Sequence, residues 1–180
     1  MRTGRRTPRR ALLAVAVAVL LGGCGITHMQ DLSFRVDSRL HFTSPQPRTK
    51  LHQPVRLTWT MRDFRIAAAG SEPPSQNAGY FALFVDRTPI RPGQTMHAVG
   101  SSDPVCKRDP KCPTATYLAQ NQIYTTTQTS FTLPQIANIS SDTERVQHHT
   151  VTIVLMDTAG HRIGESAWQF DFRLPRVGLS

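Results

Sequence analysis

Three cysteines, seven histidines and five methionines are the residues of this 180-residue chain that could bind a soft metal or attack a substrate. His28-Met29, Met96-His97, His148-His149 and Met156 supply soft and borderline donors of the kind that hold copper. A copper site needs two or three of them to converge, for example His97 beside His148 and His149. Consecutive residues of a strand point to opposite faces, so His148 and His149 cannot easily share an ion. Methionines in strands usually fill a core. A metal-binding role is therefore kept only as an alternative, and no cofactor is expected. The chain has no Gly-x-Ser-x-Gly, Ser-x-x-Lys, His-Glu-x-x-His or phosphate-cradling Walker loop. Its twelve acidic residues are scattered, with Asp63 and Asp86 at expected strand ends. No catalytic constellation is expected, and the reading is non-enzymatic.

The first 24 residues carry the strongest signal. Arg2, Arg5, Arg6, Arg9 and Arg10 precede an apolar run over 11–21, followed by Gly22, Gly23 and Cys24. A positive end, a short apolar stretch and small residues before a cleavage point define a secretory signal peptide. The run of about 11 residues is too short to cross a bilayer, which takes about 20. Leu21-Gly22-Gly23-Cys24 resembles the bacterial lipobox. That resemblance implies acylation of the Cys24 sulfur, cleavage before it, and attachment to the outer face of the cell membrane. Two or three acyl chains, each worth about 0.8 kcal/mol per buried methylene, make such attachment effectively permanent. Pro8-Arg9-Arg10-Ala11-Leu12-Leu13 resembles a twin-arginine motif, so both export routes stay open.

Cleavage changes the charge. The whole chain has 21 basic and 12 acidic residues, a formal +9. Loss of the five arginines in 1–23 leaves 16 basic against 12 acidic residues, or +4. That balance suits a surface near anionic lipid or cell-wall polymer. It does not suit a reader of nucleic acid, which also needs aromatic and basic residues interleaved on one face.

With Cys24 acylated, Cys106 and Cys112 remain as an even pair in an exported chain, which reads as a disulfide. The enclosed loop is polar and contains Pro110. Its closure is worth roughly 2 kcal/mol in the chain-entropy picture.

The positioning elements are strands. Residues 55–62 alternate apolar and Arg/Thr side chains, as in a strand with one wet face. Residues 32–42 repeat the pattern weakly through Leu32, Phe34 and Val36. Residues 79–86, 150–157 and 166–174 are further strands, and 123–127 and 129–133 are short and threonine-rich. Gly160 is expected at positive φ in the turn over 157–161. No helix of three turns is expected, and 117–122 could form one turn. The segments divide into a signal peptide (1–23), a lipidated N-terminus and tether (24–30), a β domain (31–176) and a tail (177–180). The tether, residues 25–30, reaches about 20 Å at most. Short strands between loops in one domain of this size predict an all-β, antiparallel two-sheet, immunoglobulin-like sandwich.

In such an order, 80–85 and 151–156 lie side by side, and both are apolar on both faces. Tyr80, Phe84, Val154 and Met156 then share the face turned away from the core. Either residues 100–122, clipped by their disulfide, cover that face, or it is an apolar patch for an envelope protein. Taken whole, the chain resembles the small lipoproteins of high-GC bacteria that carry a single immunoglobulin-like domain. That resemblance implies an address and a lipid on Cys24. It implies no ligand. The function expected is a membrane-anchored binding or accessory module outside the cytoplasm.

Overall fold

A computed structural model describes residues 37–176. Cys24, Leu32, Phe34, Val36 and the tail 177–180 lie outside the described residues, as do the signal peptide and the tether.

The expected all-β, two-sheet architecture is present. One sheet joins β1 (Leu40–Ser44), β2 (Val55–Met61) and β6 (Ser130–Leu133) in the order β1-β2-β6. The other runs β3 (Arg65–Ile66), β4 (Ala78–Val85), β7 (Val146–Asp157) and β8 (Trp168–Pro175), with β5 (Ile123–Thr126) also on β4. Among the described strands every pairing is antiparallel except the short parallel contact of β3 with β4.

Alternation decides which side chains meet between the sheets. Leu57, Trp59 and Leu133 come from the first sheet; Phe81, Leu83, Val151, Ile153, Phe170 and Phe172 come from the second. The Trp59 and Phe81 rings meet edge to face with centroids 5.3 Å apart, an arrangement the ring quadrupole favours. Each such side chain removed from water contributes about 1.5–3 kcal/mol. Gly79 fixes the closest approach of β4 to β7, because a Cβ there would lie 1.8 Å from the Met156 carbonyl oxygen. In the turn after β7, Gly160 has φ +86° and donates its N–H to the Asp157 carbonyl at 3.0 Å.

Three short helices follow β4: α1 (His97–Gly100), α2 (Pro104–Arg108) and α3 (Ala115–Gln120). Asp103 caps α2 by accepting from the Val105 N–H at 2.8 Å, and Pro104 sits in the first turn, where no N–H is needed. Thr114 caps α3 by accepting from the Tyr117 N–H at 3.2 Å. Cys106 and Cys112 stand at disulfide distance, with Cα atoms 5.1 Å apart. The pair closes the segment between α2 and α3. Among the described residues no helix is long and apolar enough to cross a membrane.

Candidate functional site

The apolar face expected as one of two alternatives for a partner surface is not open. Phe84 is 1 % exposed, and Val154 and Met156 are 0 % exposed. With Ala82 they form a second core against Ile90, Leu118 and Ile123, edged by Tyr80, Met96, Ala98 and Val99. The covering segment therefore begins before residue 100, at Ile90, and includes α1 and α3. The physical reason is the composition of β4 and β7. A strand apolar on both faces needs a second apolar layer, and the chain supplies one from its own next segment. Only Tyr80 of the four is half-buried. Its phenol pKa is raised first by burial and then by the nearby Asp157 carboxylate.

A cleft with charged side chains at its rim lies on the outer side of β7 and β8 instead. Residues 48–51 run alongside β8 as an added edge. The Arg48 N–H donates to the Asp171 carbonyl at 2.6 Å, the Arg173 N–H to the Thr49 carbonyl at 2.9 Å, and the Leu51 N–H to the Arg173 carbonyl at 2.8 Å. On β8, Phe170, Phe172 and Leu174 turn inward and are buried, which leaves Asp171 and Arg173 outside. The register places Thr150 opposite Asp171 and His148 opposite Arg173. The result is a depression of about 400 Å³ lined by Arg48, His148, His149, Thr150, Asp171, Phe172 and Arg173.

Hydrogen bonds hold part of this lining in place. Thr150 Oγ1 donates to Asp171 Oδ1 at 2.9 Å. Arg173 Nη2 donates to the Arg48 carbonyl at 3.2 Å. Beneath, His149 is buried, its ring stacks on Phe172 at 5.7 Å, and its Nδ1 lies 2.7 Å from Asp86 Oδ2. The other Asp86 oxygen accepts from the Thr150 N–H at 2.9 Å. Asp86 has φ +52°, so the strand end is bent to bring its carboxylate to β7. Asp86 therefore serves β7 and is engaged with His149 and Thr150.

His97 stands on α1 beside the cystine loop, in a depression shared with Cys106 and Cys112. His148 lines the β7–β8 cleft with its side chain exposed, while His149 faces the interior. The structure does not bring the three together. Among the described residues no three of His, Cys, Asp and Glu stand close enough to hold a metal ion.

Two further polar groups organise the opposite end of the strands. Asp37 accepts from the Arg39 Nη2 at 2.8 Å and from the Ser166 hydroxyl, and its backbone carbonyl accepts from the Trp168 indole N–H at 2.7 Å. The Arg39 guanidinium, opposed by burial and helped by Ser166, lowers the Asp37 carboxyl to about 2. Arg162 is buried and donates to the carbonyls of Ile90, Glu165 and Ser166, tying the covering segment to the loop after β7. Burial lowers its pKa.

Arg48, Thr150, Asp171 and Arg173 were not among the sequence candidates. The outward set of β8 is readable from its alternation. The approach of Arg48 is not, because it depends on a contact across 125 residues. Compared with known proteins, the chain matches no family model, no curated protein and no solved structure.

Proposed function

We propose that the chain is a membrane-anchored, extracytoplasmic lipoprotein that acts as a non-enzymatic binding or accessory module of the cell envelope. The observation that carries the reading is Leu21-Gly22-Gly23-Cys24 behind an arginine-rich start and a short apolar run. The cysteine pair at 106 and 112 supports it, since a cystine persists in an oxidising compartment. The body is read as immunoglobulin-like. What supports this is that β1, β2 and β6 share one sheet while β4, β7 and β8 share the other, so that each sheet mixes early and late strands, as in such sandwiches.

The contact surface is the β7–β8 cleft, a concave site lined by guanidinium, imidazole, hydroxyl and carboxylate groups whose two arginines form no ion pair among the described residues. Fractionation of cells producing the full chain tests the placement. Release from the membrane fraction by detergent but not by 1 M salt (roughly the ionic strength at which the screening length falls to 3 Å), with digestion by protease added outside the cytoplasmic membrane, is the expected result. Release by salt, or protection from that protease, contradicts it.

A further inference from the structure

Arg48, His148 and Arg173 line one cleft, and none of them forms an ion pair among the described residues. Among the described residues Asp171 is the only carboxylate in the lining, and it is held by the Thr150 hydroxyl at 2.9 Å rather than by either arginine. One guanidinium N–H of Arg173 is spent on the Arg48 carbonyl, which holds the side chain over the edge formed by residues 48–51. The remaining fork, and the exposed Arg48 side chain, keep their donors for a ligand.

Two guanidinium forks match the several oxygens of a phosphate better than the two of a carboxylate. The Asp171 carboxylate repels a bare anion but accepts hydrogen bonds from hydroxyls. A cleft with both features favours an anion that carries hydroxyl groups beside its charge. Its volume, about 400 Å³, is within the range of small-ligand sites.

We infer that the β7–β8 cleft binds a phosphorylated polyol, with the phosphate between Arg48 and Arg173 and the polyol hydroxyls on Asp171. The envelope source of such a ligand rests on the placement proposed above; the chemistry of the cleft does not. A glycerol phosphate unit, from a lipid headgroup or from a wall polymer, has this chemistry.

Calorimetric titration of the acylated full chain in nonionic detergent tests the inference with glycerol 3-phosphate, inorganic phosphate and glycerol. Saturable binding of glycerol 3-phosphate is expected, with inorganic phosphate at least tenfold weaker and glycerol without heat. Arg48→Glu, at an exposed side chain, should weaken glycerol 3-phosphate at least tenfold without moving the melting temperature. Arg173→Ala should weaken it by at least as much. Asp171→Asn should keep phosphate binding and lose the preference for the polyol ester. Displacement of glycerol 3-phosphate by detergent-dispersed phosphatidylglycerol but not by phosphatidylcholine assigns the ligand to the headgroup. Retention on soluble poly(glycerol phosphate) assigns it to the polymer. No saturable heat with glycerol 3-phosphate, or equal affinity in Arg48→Glu, overturns the inference. A chain that proves unacylated when isolated from cells, yet binds glycerol 3-phosphate, would overturn the membrane placement and leave the cleft's chemistry standing.

Discussion

A Cβ built on Gly100 would lie 2.2 Å from Cys106 Sγ and 3.0 Å from Cys106 Cβ. The last residue of α1 therefore rests directly on the cystine, and only glycine leaves room for it. The neighbour here is the near end of a side chain locked by its bond to Cys112, so it cannot swing away. Gly100→Ala should cost about 1–3 kcal/mol through overpacking. Urea denaturation of the oxidised protein checks this. An unchanged midpoint would show that α1 and the cystine do not bear on one another.

Phe84 is held between β7 and the covering segment, in the cluster with Leu118, Ile123 and Met156. Phe84→Ala should destabilise the fold by about 3–5 kcal/mol. Phe84→Asp should abolish the cooperative thermal transition, because a carboxylate there would be buried without a partner. A folded Phe84→Asp protein with a normal melting curve would place Phe84 at the surface after all.

Asp37 is lowered to about 2 from an ordinary 3.8, first by its hydrogen bond from Arg39. A carboxylate depressed by folding contributes stability above its unfolded value, and that stability is lost as the pH falls through the folded value. The window is thus pH 4 to 2. Asp37→Asn should lower stability at neutral pH by about 1–2 kcal/mol, after allowance for solvent screening. The gap between variant and parent should close as the pH falls to about 2, the folded-state value. Melting curves at closely spaced pH values measure this. A gap that stays constant down to pH 2 would detach Asp37 from the acid response.

The strands were legible because their alternation is local. Val55, Leu57 and Trp59 are buried with Arg56 exposed and Thr58 half-buried between them, and Phe170, Phe172 and Leu174 repeat the alternation. β7 begins at Val146, earlier than the expected 150, because Gln147 and His149 also turn inward and are buried. Gln147 escaped notice because its side chain satisfies backbone groups of the preceding loop, donating to the Ile139 carbonyl at 2.9 Å and accepting from its N–H at 3.0 Å. The helices were harder to read. α1 has four residues and no side-chain cap, so no periodicity could announce it. The caps of α2 and α3, Asp103 ahead of Pro104 and Thr114, are visible in the sequence, but each precedes only one or two turns and no apolar periodicity. Double-sided apolarity in β4 and β7 correctly required a cover or a partner, and the alternation alone could not say which. The cleft was least legible, since Arg48 reaches β8 only through tertiary contact.

The central claim is the lipid on Cys24, and the mass of the N-terminal peptide tests it most directly. In protein isolated from cell membranes, the peptide should begin at Cys24 and carry fatty-acyl mass, whereas Cys24→Ser should retain residues 1–23 and carry none. An unmodified Cys24 peptide from the parent chain, or the same cleavage and acylation in Cys24→Ser, would contradict the account.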